Sequence, residues 1–209
     1  MNDKKDQANP FRMALLLKAA AERFLDQGYA AVSIDSLVQQ VGGSKRNVYD
    51  HFKGKDGLFI KIMTDLCDEI MAPLESLEIS GVEPEVALIR FSEEVLRMAL
   101  KPRTLALHRL MISEASRFPD LSRAIWRAGH DTGCKALEKW ISGQQKNEKL
   151  SSKRSAEFLS TQFISMLIGY AQLKALLNPK DSKISKKEAA TFIINTVESF
   201  LFGNSFQRQ

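Results

Sequence analysis

The sequence is poor in cysteine, since Cys67 and Cys134 are the only two in 209 residues. Two cysteines form at most one bridge and cannot build the disulfide framework of a small secreted domain, so we expect a reducing, cytoplasmic environment. Long hydrophobic runs are also missing, because no apolar stretch approaches the ~20 residues that a membrane-spanning helix needs. We therefore predict a cytoplasmic protein with no membrane partner.

The common enzyme and metal motifs are missing as well. There is no G-x-S-x-G, no H-E-x-x-H and no G-x-x-x-x-G-K, because Tyr49 stands where the first glycine before Gly54-Lys55 would be. We therefore predict no catalysis and no cofactor. His130 and Cys134 are two residues of the kind that bind zinc, but His51 and His108 supply no third ligand at motif spacing, so we predict no metal site.

The net charge of the protein is only weakly positive. The 30 basic and 25 acidic residues give a net charge of +5, which permits nucleic-acid binding without demanding it. Acidic residues prevail between positions 61 and 100, and basic residues prevail on both sides of that segment. Any DNA-binding face must therefore be a local arrangement near the N-terminus and not a basic tail.

Helical periodicity is present almost everywhere, and alternating strand patterns are hard to find. The sequence predicts an all-α protein. The expected helices, bounded by proline, glycine and capping residues, cover about residues 10–27, 34–41, 45–52, 55–70, 84–101, 103–117, 120–141, 153–178 and 186–202. We expect Gly28 to stop the first helix and the polar segment from Gly143 to Ser152 to form a loop.

The most informative segment runs from Ser33 to Phe52, where two short helices flank a glycine turn. This is the pattern of a helix-turn-helix. On a helical wheel, Val48 and Phe52 share one side of the second helix, and Arg46 and Asp50 lie opposite. Because so short a helix is not stable alone, its apolar side must anchor it, and its polar side is then presented rigidly. Such a helix fits a DNA major groove.

The polar side carries groups that suit DNA. Arg46 can donate to guanine, Asn47 can pair with adenine or a phosphate, and Asp50 can accept from cytosine or hold Arg46. Lys55 opposes the dipole of its helix, a conflict that a bound phosphate would relieve. A solvated charged surface is the other interpretation of these residues. The full predicted DNA-binding set is Ser33, Ser44, Lys45, Arg46, Asn47, Tyr49, Asp50, His51 and Lys55.

Residues 12–63 resemble the DNA-binding region of the TetR-type bacterial transcriptional regulators. The matching positions are Arg12, Leu16, Ala20, Phe24, Gly28, Tyr29, Ser33, Leu37, Val38, Gly42, Ser44, Val48, Tyr49, His51, Phe52, Lys55, Leu58 and Phe59. The resemblance implies a DNA-binding domain at 10–55, with phosphate contacts from Tyr49 and Lys55, and a helical ligand-binding and dimerisation domain at 56–209. Val41, Gly43 and Arg46 depart from the family pattern, and Arg46 could alter the operator that is read.

The segment from Arg109 to Leu121 resembles the AcrR- and AefR-like branch, and the family resemblance implies an effector cavity among the helices from about 84 to 178. Methionine and aromatic residues suit an adaptable apolar pocket, although such residues at helical spacing also build ordinary cores. The candidates for lining the cavity are Phe91, Met98, Met111, Trp126, His130, Cys134, Phe163, Met166 and Tyr170.

The last two helices carry more apolar surface than one core-facing stripe requires. Ser165 and Gly169 are spaced for close helix approach, which suits the dimer interface that the resemblance implies and equally suits a crossing within the chain. The predicted interface residues are Phe158, Gly169, Phe192 and Phe200. A twofold dimer would place the helix-turn-helix of each subunit on one half of a pseudo-palindromic site.

Taken together, the residues and the resemblance predict a homodimeric repressor that binds double-stranded operator DNA and releases it when a small apolar or amphipathic effector binds. The alternative is a helix-turn-helix protein that binds DNA or a partner and senses no small molecule.

Overall fold

The computed structural model describes residues 10–178 and 184–203, and within those ranges the chain is helical with no β-strand. The all-α prediction is confirmed. The helices are α1 (Pro10–Ala31), α2 (Ile34–Val41), α3 (Lys45–Phe52), α4 (Lys55–Glu75), α5 (Pro84–Ala99), α6 (Pro102–Glu114), α7 (Pro119–Lys146), α8 (Ala156–Leu177) and α9 (Lys186–Phe202).

The ends of α1 and α7 differ from the predicted helix ends. The helical backbone is broken at Gly28, whose φ of 79° and ψ of 171° are not helical, although a helical turn follows it and α1 ends at Ala31. The predicted loop from Gly143 is wrong at its start, because α7 continues to Lys146. A glycine inside a helix costs only about 1 kcal/mol. The chain turns where Glu148 has a φ of 58° and the Gln144 carbonyl accepts from Lys149 and Leu150.

The described chain forms two compact units. Among the described residues the first consists of 10–69 together with 106–125, so it contains α1–α3, most of α4, most of α6 and the start of α7. Its buried core includes the aromatic rings of Phe24, Tyr29, Phe59 and Phe118. Phe59 meets Phe24 and Tyr29 edge to face, with ring centroids 5.1 and 5.0 Å apart. The predicted domain boundary after residue 55 stays a prediction, since compact units need not coincide with domains that fold independently.

The second unit consists of residues 70–105 and those from 126 onward. In it α5 packs against α8 and α9, and α8 also packs against α9. Phe91, Leu137, Phe163 and Val197 are fully buried members of its core, and they come from α5, α7, α8 and α9. No helix among the described residues is long and apolar enough to cross a membrane.

Candidate nucleic-acid interface

Hydrogen bonds fix the start of α2, and two glycines follow its end. Ser33 caps α2, because its Oγ accepts from the backbone N–H of Ser36 at 3.1 Å. The Ser36 hydroxyl donates to the Ser33 carbonyl at 2.9 Å and accepts from Nη1 of Arg23 on α1, also at 2.9 Å. After α2, Gly42 and Gly43 take φ values of 73° and 131°, where side chains other than hydrogen are disfavoured. The glycine pair therefore allows the chain to turn from α2 into α3.

Helix α3 has one buried and one exposed side, as the sequence predicts. Val48 and Phe52 are buried, and the exposed side is formed by Lys45, Arg46, Tyr49, Asp50 and His51. Asn47 is half-buried at the edge, and Ser44 precedes the helix without a side-chain capping bond. The eight-residue helix therefore depends on packing for its stability and presents its polar groups on a fixed backbone.

Two cations of this face pair with carboxylates. The Lys45 ammonium lies 2.8 Å from Asp35 on α2, and hydrogen bonding to that carboxylate raises the pKa of Lys45. Arg46 Nε lies 3.7 Å from Asp50 one turn further along α3. All four side chains are exposed, so each pair contributes little to stability. Neither pair is therefore strong enough to fix its cation.

Lys55 begins α4, and its position depends on residues of α1. Its ammonium donates to the Ala30 carbonyl at 3.3 Å and lies 4.2 Å from the centroid of the Tyr29 ring. Partial burial, followed by the nearby guanidinium of Arg117, lowers the pKa of Lys55. An ammonium has three N–H donors, so donors remain for a phosphate.

Sequence reasoning did not find Arg117 or Asp56 beside this lysine. The Tyr29 hydroxyl donates to Asp56, and Arg117 lies against the same ring although it comes more than fifty residues later in the chain. Asp56 is next to Lys55 in the sequence, and a carboxylate in the first turn of a helix is a signal that could have been used. No local pattern indicates the contact of Arg117.

Four of the predicted cavity residues lie in one cluster. Phe91, Met98, Cys134 and Phe163 are buried in the core of the second unit, and the rings of Phe91 and Phe163 are 6.4 Å apart. Met111 is buried in the first unit. The structure places the other predicted residues nearer the surface.

Trp126 is exposed and stacks on His130 at 4.9 Å, and His130 lies 3.6 Å from the buried Cys134 sulfur. Met166 and Tyr170 are exposed on α8. Among the described residues, no three histidine, cysteine or acidic side chains come together as a metal site would require.

The predicted interface residues divide between surface and core. Phe158 and Gly169 are exposed on α8. Phe192 and Phe200 of α9 are half-buried, and the ring of Phe200 lies 4.9 Å from that of Phe163 in the core of the same unit. The last two residues therefore already pack within their own chain.

The first unit is a helix-turn-helix module, and the comparisons with known proteins place it in a family. The N-terminal domain of the bacterial regulatory proteins of the tetR family matches residues 16–62. The C-terminal domain of AefR-like transcriptional repressors matches residues 86–202, more than half of the chain. The chain belongs to the TetR family, and like its other members it is a DNA-binding transcriptional regulator. This family and fold are those of regulators and not of enzymes.

The similarity to an individual curated relative is low and covers only part of the chain. The chain is 30% identical over 90 residues to the HTH-type transcriptional activator FasR of Mycolicibacterium smegmatis (strain ATCC 700084 / mc(2)155). That match takes in 43% of this chain and only 37% of the length of FasR.

Solved structures agree over nearly the whole chain. A TetR-family transcriptional regulator from Mesorhizobium loti MAFF303099 has a TM-score of 0.81 at 23% identity, covering 93% of this chain and 97% of that one. The flavonoid-responsive regulator FrrA has a TM-score of 0.77 at 25% identity, covering 92% and 96%. At these identities the structures support the fold and leave operator and effector open.

Proposed function

We propose that this chain is a homodimeric repressor that reads a pseudo-palindromic operator through α3 and releases it when an apolar or amphipathic effector binds. The observation that carries the proposal is the exposed polar face of α3, fixed on the buried side chains of Val48 and Phe52. In this proposal Arg46 and Asn47 read base edges, and Tyr49 and Lys55 contact phosphates.

An apolar stripe on α8 supports the dimer. Its exposed side chains Met166, Tyr170, Leu173 and Leu177 follow a spacing of three or four residues and therefore share one face of the helix, and Phe158 is exposed two turns before Met166. Gly169 lies on the same exposed face, and a Cβ built there meets nothing within 4 Å, so a second helix has room to approach. Exposed apolar patches of this kind commonly mark protein interfaces.

Two buried polar atoms of the second unit support an amphipathic effector. Ser92 Oγ on α5 and Trp140 Nε1 on α7 are shielded from solvent and have no hydrogen-bond partner among the residues that the structure describes. An unmade hydrogen bond of a buried group costs about 1–3 kcal/mol, which a polar atom of a bound molecule would recover. The flavonoid response in the name of FrrA suggests aromatic amphiphiles as the first compounds to screen.

Selection of duplex DNA from a random library tests the DNA-binding part of the proposal. At about 150 mM salt, non-specific phosphate binding weakens while base readout persists, so we expect an inverted repeat to be enriched. On that operator, Tyr49→Phe should weaken binding to every sequence alike, whereas Arg46→Ala should relax the preference at one base position. Equal loss on all sequences for both variants would contradict these roles.

Sedimentation tests the dimer. A carboxylate placed in an apolar interface is costly to bury, so Leu173→Glu should shift the protein toward monomer. Ile112→Glu is the matched control, because Ile112 is an exposed apolar residue of α6 in the first unit. A Leu173→Glu protein that remains as dimeric as the control would refute the interface.

An effector should lower operator affinity by its preference for the released conformation, a coupling of about 1–3 kcal/mol in comparable systems. A compound that binds tightly without changing operator affinity is not the effector. FasR is named a transcriptional activator, so activation of transcription is the alternative to repression. A reporter gene behind the selected operator decides, since a repressor lowers its expression and an activator raises it.

A further inference from the structure

The ring of Tyr29 at the end of α1 contacts residues from the start of α4 and from the segment that follows α6. It is buried near the end of α1, and its hydroxyl donates to Asp56 in the first turn of α4. The Lys55 ammonium and the guanidinium carbon of Arg117 each lie 4.2 Å from the ring centroid. The ring of Phe118 meets Tyr29 edge to face at 5.1 Å. These five residues form the Tyr29 cluster.

Arg117 lies outside the segment that matches the family's DNA-binding domain, yet it is held firmly against it. The N–H groups of Arg117 and Phe118 donate to the Glu114 carbonyl at 3.0 and 2.9 Å, which fixes the backbone just after α6. Phe118 is buried and its ring also lies 4.9 Å from that of Phe59. The side chain of Arg117 therefore leaves from a rigid turn and reaches a buried ring.

The two cations of the cluster repel each other. Because both lie 4.2 Å from one centroid, they are at most twice that distance apart. Burial and then Arg117 lower the pKa of Lys55, and the charges of Asp56 and Glu114 act in the opposite direction. The π-face of Tyr29 attracts each cation and so keeps both in place.

We infer that Arg117 is a positioning residue for Lys55, the lysine from which the proposed function expects a phosphate contact. The guanidinium takes part of the ring surface and repels the ammonium, which confines Lys55 to the side where the Ala30 carbonyl accepts from it. A lysine that is already confined loses less rotamer freedom when a phosphate arrives. Without Arg117, the same lysine must be ordered at the moment of binding.

A double-mutant cycle on the selected operator tests this inference. Arg117→Ala should weaken binding about three- to tenfold, on specific and random duplexes alike, because the contact that it supports is to a phosphate. Arg117→Lys, which keeps a cation at the position, should restore most of the affinity. In a Lys55→Met background, Arg117→Ala should have no further effect, because Arg117 acts only through the lysine.

Arg123→Ala is the matched control. Arg123 is an exposed arginine of α7 in the same unit, paired with Asp120, and its removal changes the net charge by the same amount. We expect this control to bind the operator as the wild type does. Losses from Arg117→Ala and Lys55→Met that simply add would show that Arg117 contacts DNA by itself and would overturn the inference, as would unchanged affinity of Arg117→Ala.

A measurement without DNA separates this inference from the proposed function. In an NMR titration of the Lys55 side chain, Arg117→Ala should raise the pKa toward its usual value, since the guanidinium that lowers it is gone. An unchanged pKa would overturn the inference. Failure of the wild-type protein to select any DNA would overturn the proposed function, and the titration would still decide whether Arg117 acts on Lys55.

Discussion

Tyr29 should make the stability of the protein depend on pH in alkaline solution. Burial of the ring, followed by the hydrogen bond and the charge of Asp56, raises the pKa of Tyr29 from 10.0 to about 12. Because folding raises this pKa, the neutral hydroxyl contributes stability that is fully present below about pH 10 and lost as the pH rises through about 12. Two pKa units at 1.36 kcal/mol each give about 3 kcal/mol.

Tyr29→Phe removes the ionisable group, so the change with pH in the stability difference between the two proteins shows the size of this contribution. Hydrogen bonds to charged groups contribute about 1.5–3 kcal/mol, but Asp56 is exposed and water replaces the lost donor, so we expect a loss of about 1 kcal/mol near pH 8. Phenylalanine cannot ionise. The advantage of the wild type should therefore shrink above about pH 10, vanish near about pH 11 and reverse above it.

Urea unfolding of both proteins between about pH 8 and pH 11.5, followed by circular dichroism, measures this difference. Ionisation of the other tyrosines and of the lysines is common to both proteins and cancels. Tyr49→Phe is the control, because it removes the same hydroxyl from an exposed tyrosine. A Tyr29→Phe difference that stays constant over this pH range would refute the assignment of the raised pKa to this ring.

Two further predictions concern α2 and its neighbours. Ser33→Ala should lower the free energy of unfolding by about 1 kcal/mol in urea titrations, and Ser44→Ala by less, because the capping bond is made by Ser33 and not by Ser44. Similar losses for both variants would contradict the role of the cap. Asp35→Asn should strengthen binding to random duplex DNA several-fold at low salt, since it frees Lys45 and removes a negative charge beside it. Asp65→Asn removes the same charge from an exposed pair on α4 and should change binding little; equal gains for both would indicate that net charge alone acts.

Much of the helix-turn-helix formed by α2 and α3 could be predicted, because the sequence signals that determine it are local. The bounds of α2 and α3 follow from Ser33, the Gly42-Gly43 turn and the apolar pair Val48 and Phe52, each within a few residues of the feature that it determines. The exposed face of α3 follows from the same period. The helix period therefore predicted which side chains point outward and that Asp50 can hold Arg46, but it did not predict that Lys45 pairs with Asp35 on α2.

The contacts of Lys55 could not be predicted from local signals. Its ring partner lies 26 residues earlier, and Arg117 reaches that ring from 62 residues later, so the arrangement exists only after the chain has folded. The loop predicted to begin at Gly143 was wrong for a different reason, since α7 continues to Lys146. A glycine is only a weak helix breaker, and the end of α7 is determined by hydrogen bonds to the Gln144 carbonyl.

In the proposed interface, binding DNA is an exchange of partners. Lys45 gives up Asp35, and Arg46 gives up Asp50. Exposed ion pairs contribute little to stability, so any phosphate displaces Asp35 from Lys45 at little cost. The second exchange is selective, because Arg46 gains only where a base offers two acceptors in the right place, a contact worth about 1–3 kcal/mol over the wrong base. Asp50 remains beside the groove and repels acceptors at other sequences. In this proposal Asp35 therefore lowers affinity for every sequence by a small amount, and Asp50 raises the difference in affinity between the operator and other DNA.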